Sequence, residues 1–344
     1  MRLPERMRAV VQHGPRDLRV EELPLAAPRP GEVLVRVRAT GICGSDLHFW
    51  KHATYGSGVV LGHEVAGELA AVGEGVRGLA PGALGAVHTG APCGRCERCR
   101  AGLGSHCRDG ISLGNGKGIG GLAEFVAVPA VCFIPVSGGL DPGALCFAEP
   151  LANGLRCLDH PEVRQAKSAL VIGAGPIGLS CLAAARVYGV SDVWVVEGRA
   201  RRREAALRLG AERVLDPAED VRAEVARRFG PGPELVIEAV GLPETIERAQ
   251  RLVRPRGTVF LMGLCLDELP MRPIRWLLNE LTLRSSLGCE LEEHRRAVEL
   301  IGSGAIDAAP LITRRIALSE APEAFAALAA GADEIKVVVE HGRG

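Results

Sequence analysis

Four cysteines lie close together in "APCGRCERCRAGLGSHC", which covers residues 91–107. Thiolates two residues apart on a tight turn can reach one ion, and the glycines between them let the backbone wrap around it. Four sulfurs suit a closed tetrahedral zinc site, so the spacing predicts a structural zinc lobe. Free or redox-active cysteines and an iron–sulfur cluster are the alternatives. The predicted ligands are Cys93, Cys96, Cys99 and Cys107.

A second group of metal-ligating side chains lies upstream, in "GICGSDLH" and "GHE". Cys43, His63 and Glu64 combine sulfur, nitrogen and oxygen ligands, which is typical of a catalytic zinc site that keeps one position open. Glu149 in "FAEP" is a further candidate ligand. A lone buried His or Cys usually has a structural role, so the prediction depends on the group as a whole. Three polar side chains close to Cys43 strengthen it: Ser45, Asp46 and His48.

The middle of the chain carries a glycine-rich turn between a strand and a helix. In "SALVIGAGPIGLSCL" a short apolar strand runs into the motif G-x-G-x-x-G. The glycines allow a tight turn and bring a pyrophosphate against the helix N-terminus, where backbone N–H groups and the helix dipole favour an anion. A second strand, "DVWVV", is followed by Glu197, which lies 24 residues after Gly173, close to the offset of about 20 residues expected for a ribose-binding acid. The predicted cofactor residues here are Gly173, Gly175, Pro176, Ile177, Gly178 and Glu197.

Alternating strands and helices extend this motif into a dinucleotide-binding sheet. With the two strands beside the glycine turn, they complete the six parallel strands of a Rossmann fold. The added elements are strands at 213–215, 234–241, 257–264 and 281–288 and helices at 200–210, 218–229 and 243–252. Five residues of this region are also assigned to the cofactor: Arg202, Gly263, Leu264, Ser286 and Leu287.

The first 150 residues have a different pattern. Short Val-rich runs such as "RAVVQ" and "AEFVAVPA", broken by Gly and Pro, are typical of a β-rich domain. The tail adds a helix at 320–330 and a strand at 335–340 that have no place in the dinucleotide sheet. The predicted fold is therefore α/β. A β-rich domain spans 1–151 and 289–344, and a doubly wound parallel sheet spans 152–288.

Composition and charge narrow the functions. The 344 residues are 47% apolar, enough for a large core, and 41 Lys and Arg balance 41 Asp and Glu. This balance gives no reason to expect nucleic acid or an anionic membrane as a partner. The apolar runs are too short to span a bilayer, and the start of the chain lacks a signal peptide. We expect a cytoplasmic protein, in which clustered cysteines are more often metal ligands than disulfides.

In their order along the chain, these motifs resemble those of the zinc-dependent medium-chain alcohol dehydrogenases. The resemblance covers nearly the whole length and rests on "GICGSDLH", "GHE", the four-cysteine lobe, "EPLANGL" and "GAGPIG". It is strongest for the sorbitol and other polyol, butanediol and threonine dehydrogenases. The acidic "EP" at 149–150 stands where alcohol dehydrogenases with a two-cysteine site place their second cysteine. One departure is "PGALGAVH", which lacks the Asp-Arg pair that the family often has after its Pro-Gly.

The resemblance implies a GroES-like catalytic domain interrupted by a Rossmann domain, and two zinc ions per chain. It also implies a nicotinamide cofactor. NAD is expected over NADP, because Glu197 would repel a 2′-phosphate, although Arg199 and Arg202 could partly offset the repulsion. Zinc would act as a Lewis acid on a substrate hydroxyl, and hydride would pass to the nicotinamide. In the family, a hydroxyl at the position of Ser45 passes the proton through the cofactor ribose to a His at the position of His48.

Two roles stay open at this point. Asp46 either orients His63 from behind the metal or only forms a turn. Glu149 either binds zinc directly, exchanges with Glu64, or acts through water.

The predicted reaction is oxidation of a secondary hydroxyl in a vicinal diol, polyol, cyclitol or amino alcohol to a ketone. By resemblance, the enzyme is expected to be a homo-oligomer, either a tetramer or a dimer. A catalytically silent protein of the same fold is the alternative, but Cys43, His63 and Ser45 are all present. A zinc-independent reductase of the superfamily would lack both metal clusters. His88 and His106 are interpreted as structural or surface residues, and the six other cysteines, Cys289 among them, as small core hydrophobes.

Overall fold

Two units make up the structure, a computed structural model that describes residues 3–116, 119–269 and 272–341. One unit holds residues 1–149 and 290–344, and the other holds residues 150–289. The boundaries expected from the sequence differ from these by two residues at the first junction and by one at the second. None of the helices in the described ranges has the length and apolarity needed to cross a membrane.

The first segment of the chain is built mainly of short strands. Its Val-rich sequence favours them, since β-branched side chains pack well on a pleated surface. The strands are β1 (Arg6–Gly14), β2 (Asp17–Pro24), β3 (Glu32–Gly41), β4 (Val59–Val60), β5 (Glu64–Val72), β6 (Leu84–Val87), β7 (Gly90–Ala91), β8 (Ile111–Ser112), β9 (Phe125–Pro129) and β10 (Phe133–Pro135). The α-helices are α1 (Gly44–His52), α2 (Glu97–Arg100), α3 (Pro142–Leu145) and α4 (Ala148–Asp159).

The second unit alternates strands and helices. Its strands are β11 (Ser168–Ile172), β12 (Asp192–Val196), β13 (Arg213–Leu215), β14 (Leu235–Glu238), β15 (Thr258–Leu261) and β16 (Thr282–Ser285). Its helices are α5 (Pro176–Val187), α6 (Ala200–Arg208), α7 (Val221–Phe229), α8 (Pro243–Leu252) and α9 (Pro273–Asn279).

These six strands form one parallel sheet. The order is β13-β12-β11-β14-β15-β16, which is the 3-2-1-4-5-6 order of a dinucleotide-binding sheet. The central strand β11 is almost entirely buried, as a parallel strand covered on both faces should be. The strands and helices expected between residues 168 and 288 are all present, and α9 is an addition that the sequence did not predict. The predicted α/β class with a doubly wound sheet is confirmed.

The C-terminal segment contributes α10 (Leu291–Gly302), β17 (Ile312–Ala317), α11 (Ala321–Ala329) and β18 (Lys336–Glu340). Strand β18 runs antiparallel to β3, with Val338 opposite Gly41, and parallel to β17. The resulting seven-stranded sheet has the order β10-β6-β5-β3-β18-β17, with β9 also paired to β3. This register places the start of β18 beside the end of β3, where the second metal motif begins.

Candidate active site and zinc centres

The turn between β3 and α1 positions Cys43, which is the N-cap residue of the helix. The Asp46 carboxylate, which is fully buried, fixes this turn. Its Oδ2 accepts a hydrogen bond from the backbone N–H of Cys43 at 3.0 Å, and its Oδ1 accepts one from the N–H of Gly62 at 3.3 Å. The second bond ties the helix start to the segment before β5, so Cys43 is held close to the "GHE" motif.

Asp46 also contacts the next ligand. Its Oδ1 lies 3.3 Å from Nδ1 of His63, which fixes the ring and leaves Nε2 for a metal. Burial lowers the pKa of His63, but the charges of Asp46 and Cys43 and hydrogen bonds to both raise it well above its usual value. The groups that favour a proton on this imidazole would equally favour a divalent cation. Asp46 therefore both forms the turn and contacts His63, so the two interpretations of the sequence are compatible.

Glu64 opens β5 and lies opposite Gly41 in the ladder with β3. Its carboxylate covers Gly41 so closely that a Cβ there would come within 1.9 Å of Glu64 Oε2. Lys336 Nζ donates to both Glu64 oxygens at 2.6 Å and to the backbone oxygen of Ile42 at 3.1 Å. Both charged side chains are only 1% exposed. Burial lowers the pKa of Lys336, but the charges of Glu64 and Cys43 raise it above its usual value, so the ammonium stays charged.

Sequence reasoning missed Lys336. The only signal was a single lysine at the start of the apolar strand "IKVVVE", whose remaining residues read as ordinary core. A buried lysine needs a partner of opposite charge, but the sequence does not say which carboxylate supplies it.

The ligand atoms of Cys43, His63 and Glu64 lie within 4.8 Å of one another. Thiolate, imidazole and carboxylate are the ligands that catalytic zinc takes, so the residues fit this ion. Among the residues that the structure describes, this group does not include Glu149. That carboxylate is buried near the start of α4, where its charge contributes to the raised pKa of Lys336. Direct ligation by Glu149 stays a prediction.

Ser45 and His48 are three residues apart on α1, so they share one face of the helix. Both are partly buried. Burial lowers the pKa of His48, and the nearby charges of His52 and Lys51 lower it further. At neutral pH its imidazole is therefore mainly uncharged and able to accept a proton. The relay role of the two residues stays a prediction.

The four-cysteine lobe has the dimensions of a single metal site. The Sγ atoms are 3.5 Å apart for Cys96 and Cys99, 3.9 Å for Cys93 and Cys99, and 3.8 Å for Cys96 and Cys107. Four sulfurs at 2.3 Å from a tetrahedral zinc would be about 3.8 Å apart, so the lobe fits one ion better than a multi-iron cluster. None of these cysteines forms a disulfide.

Backbone hydrogen bonds prepare the lobe for a metal. The N–H of Cys93 donates to Sγ of Cys107 at 3.3 Å. This bond is the main reason that the pKa of the Cys107 thiol falls to about 6, which favours the thiolate that binds metal. Gly94 and Gly102 have φ of +70° and +76°, a conformation that favours glycine and turns the chain around the site.

The glycine turn of the second unit has the geometry of a dinucleotide cradle. Gly173 has a φ of +93°, as the tight turn requires. A Cβ on Gly178 would lie 1.8 Å from the carbonyl oxygen of Gly173, so the helix approaches the strand closely. A Cβ on Gly175 would meet only Arg202 Nη1, at 3.6 Å, which leaves space for a pyrophosphate. These are the three roles that the glycines of a dinucleotide-binding turn perform.

Glu197 supports this turn directly. Its Oε2 accepts a hydrogen bond from the N–H of Ala174 at 2.8 Å, and its Oε1 accepts one from the N–H of Arg199 at 2.9 Å. The carboxylate therefore holds the loop after β11 as well as occupying the position expected for a ribose-binding acid. Sequence reasoning foresaw only the second role.

The other assigned cofactor residues follow β15 and β16. Gly263 packs against the backbone, since a Cβ there would lie 2.2 Å from the nitrogen of Gly241. The Ser286 hydroxyl donates to Sδ of Met262 at 3.7 Å. Leu264 and Leu287 are exposed. Pro176 and Ile177 form the first turn of α5, beside the open space over the glycines. Cofactor contacts of these residues stay predictions.

Comparison with known proteins agrees with this geometry. Residues 29–138 match the alcohol dehydrogenase GroES-like domain, and residues 176–303 match the zinc-binding dehydrogenase domain. The chain is 33% identical over 335 residues to a protein assigned as D-xylulose reductase A in Aspergillus clavatus, with 93% of each chain covered. The chain belongs to the zinc-dependent medium-chain alcohol dehydrogenase family. The predicted GroES-like and Rossmann domains are confirmed, and this medium-chain dehydrogenase is an oxidoreductase that acts on CH–OH groups.

Solved structures of other medium-chain dehydrogenases share the fold. A protein assigned as a zinc-binding dehydrogenase from Sinorhizobium meliloti, solved with NADP bound, is 34% identical with a TM-score of 0.90. That match covers 98% of this chain and 100% of the other. The 2R,3R-butanediol dehydrogenase of Bacillus subtilis is 27% identical with a TM-score of 0.87, covering 97% and 99% of the two chains.

Proposed function

We propose that this dehydrogenase oxidises a secondary hydroxyl of a vicinal diol or polyol to a ketone and transfers the hydride to NAD. The observation that carries the proposal is the group formed by Cys43, His63 and Glu64, whose ligand atoms lie within 4.8 Å of one another. The same chain holds a dinucleotide turn with open space over Gly175. Two relatives are named for a ketose and for a vicinal diol, and we extend this substrate class to the chain.

The charges around the proposed metal nearly cancel. Lys336 neutralises the buried carboxylate of Glu64. The charge of a bound Zn²⁺ would be opposed by the Cys43 thiolate and by the carboxylates of Asp46 and Glu149. The preference for diols and polyols over amino alcohols therefore rests on the substrates for which the relatives are named.

The chain's own residues divide the chemical work. When bound, zinc supplies Lewis-acid polarisation of the substrate hydroxyl, and the nicotinamide supplies the hydride acceptor. Cys43 and His63 hold the ion, and Asp46 keeps the imidazole in its orientation. The Ser45 hydroxyl would accept the substrate proton while it donates its own proton toward His48, and His48 would take up that proton and release it to solvent, because its lowered pKa keeps the imidazole uncharged at neutral pH. The four-cysteine lobe holds a second, structural zinc.

NAD is the proposed cofactor because of Glu197. This carboxylate is only 9% exposed and is fixed by two backbone hydrogen bonds, so it cannot easily swing away from a 2′-phosphate. Arg202, beside Gly175, would reduce the repulsion. The Sinorhizobium meliloti relative was solved with NADP, so both cofactors belong in the test.

A homo-oligomer is also proposed, with a second copy seated on the outer edge of the Rossmann sheet. In the described part of the chain, edge strand β16 pairs only with β15. Leu283 on this strand is 41% exposed, and Leu277 and Leu278 on α9 are 72% and 75% exposed. Exposed apolar groups beside an open strand edge are typical of an interface. Leu278→Glu should lower the mass measured by light scattering, and an unchanged mass would contradict this interface.

A cytoplasmic location is proposed as well, since all eleven cysteines are free of disulfides.

Initial rates with NAD test the reaction. We expect xylitol, sorbitol, a cyclitol and 2,3-butanediol to be oxidised with a higher kcat/KM than threonine or ethanol. Cys43→Ser is the control for background activity and should bind nucleotide without reacting. A clear preference for ethanol would contradict the proposal.

A further inference from the structure

Three buried metal-ligating side chains lie together outside both zinc centres. The ligand atoms of His88, His294 and Cys289 are within 4.8 Å of one another, and the residues are 7%, 1% and 6% exposed. The Nδ1 atoms of the two histidines are 3.2 Å apart. We propose that these three residues bind a third zinc ion.

Two distant segments of the chain form this group. His88 follows β6, and its backbone N–H donates to the carbonyl of Cys132 at 2.8 Å. His294 lies in the N-terminal part of α10, and Cys289 directly precedes the N-cap residue of the same helix. His294 is therefore held by the helix itself, while His88 and Cys289 lie directly beside the ends of regular elements, one residue after β6 and two residues before α10.

The spacing of the donors suits zinc. Two imidazole nitrogens at about 2.0–2.1 Å from a tetrahedral zinc are about 3.3–3.4 Å apart, close to the 3.2 Å that separates the two Nδ1 atoms. Without an ion, one of the two facing nitrogens carries a hydrogen and donates it to the other in a hydrogen bond. An ion bound by the two Nδ1 atoms would replace this single hydrogen bond with two metal–nitrogen bonds.

The charges around the group also suit a metal. Each imidazole would bind the ion through an uncharged ring nitrogen. Cys289 would release one proton per ion bound, and the Glu290 carboxylate, whose charge acts on His88, would offset the remaining positive charge.

The position of the site indicates a structural role. The hydroxyl of Ser105, in the four-cysteine lobe, donates to the carboxylate of Glu290 at the start of α10. An ion held by His88 and His294 would join segments 206 residues apart in sequence, next to this contact. Two imidazoles and one thiolate are a borderline donor set that suits zinc, with water completing the tetrahedron.

Zinc content and anomalous diffraction test the proposal. The full chain is expressed with zinc, desalted, and analysed for metal against protein. We expect three zinc ions per chain in the wild type and two in His294→Gln and in Cys289→Ser. His341→Gln, a matched change of another histidine in the same unit, should keep three. In crystals of the wild type, an anomalous peak at the zinc edge is expected between the two Nδ1 atoms.

Each outcome decides the question. Two zinc ions in the wild type, with no anomalous peak at the two histidines, would overturn the proposal. Three ions in His294→Gln would overturn it as well. If a variant fails to fold, the wild-type peak still decides. Polyol oxidation is measured on the same samples and should remain within about twofold in both variants. Loss of the third ion can therefore be told apart from failure of the catalytic site.

Discussion

The buried ion pair of Lys336 and Glu64 allows a sharp test, because removing one partner leaves the other charge uncompensated. The pair is 1% exposed on both sides, and Nζ lies 2.6 Å from both carboxylate oxygens. Breaking a buried pair in this way costs about 3–5 kcal/mol. Coulomb's law at an effective dielectric constant near 20 gives about 6 kcal/mol of attraction at the 2.6 Å between Nζ and each oxygen, and the cost of removing both charges from water reduces this value to a similar range. Lys336→Met should therefore reduce the free energy of unfolding by about 3–5 kcal/mol.

The assay is urea unfolding followed by tryptophan fluorescence in a Cys43→Ser background, in which no zinc at the catalytic site compensates the charge of Glu64. Trp50 packs edge-on against Phe325 in the first unit, so its signal reports the unit that holds the pair. Trp194 and Trp276 lie in the second unit, and replacing both by Phe leaves Trp50 as the one tryptophan that reports unfolding.

Two variants complete the experiment. Lys167→Met removes an exposed lysine and should change the free energy of unfolding by less than about 0.5 kcal/mol. The double variant Lys336→Met with Glu64→Gln carries neither charge and should recover most of the loss, since two neutral partners leave no buried charge behind. A cost below about 1 kcal/mol for Lys336→Met, or a double variant less stable than the single one, would refute this reasoning.

Four further predictions follow from the site and from one buried histidine. Cys99→Ser should lose one zinc and unfold the first unit more readily, whereas Cys43→Ser should keep its fold and lose activity; loss of activity only through unfolding in both would contradict the division of roles. Glu197→Ala should bring the kcat/KM values for NAD and NADP closer together and weaken the binding of both cofactors, because the hydrogen bond from the Ala174 N–H to the carboxylate is lost. Glu197→Gln should also bring the two kcat/KM values closer together, but it should keep most of the cofactor affinity. Ser45→Ala should lower kcat by about 10²-fold or more, as loss of a proton acceptor does, and a rate unchanged within twofold would remove it from the relay. The ring nitrogens of His341 are buried, and burial lowers the pKa of its imidazole to about 4. The imidazole therefore binds a proton at a higher pH in the unfolded chain than in the folded one, and the free energy of unfolding should fall as the pH drops from about 6.5 to 4. In urea unfolding measured across this pH range, His341→Gln should make the fall about 3 kcal/mol smaller.

Features that are local in the sequence could be predicted. The four cysteines of the lobe lie within fifteen residues, and the glycine turn is read from six, so spacing alone conveys their geometry. The strands of the second unit could be predicted for the same reason, since each is an apolar run bounded by turn residues. The α/β class and the two domain types needed no long-range information.

Features that depend on long-range strand register could not be predicted. Lys336 meets Glu64 across 272 residues of sequence, and only the pairing of β18 with β3 and of β3 with β5 brings them together. His88 was interpreted as a structural or surface residue and Cys289 as a small core hydrophobe, and His294 was not singled out, because no local spacing connects the three residues. Helix α10, which carries His294, was not predicted, since its charged surface residues obscure the apolar positions that pack inward.

Metal dependence of polyol oxidation tests the central claim most directly. Protein treated with a chelator is assayed with NAD and xylitol while zinc is added back, and bound zinc and NADH formation are measured on the same samples. We predict that activity is lost on chelation and returns as zinc refills the site of Cys43 and His63. In Cys43→Ala the lobe should refill while the rate stays at background. Full activity in protein that retains less than a tenth of an equivalent of zinc would contradict the account.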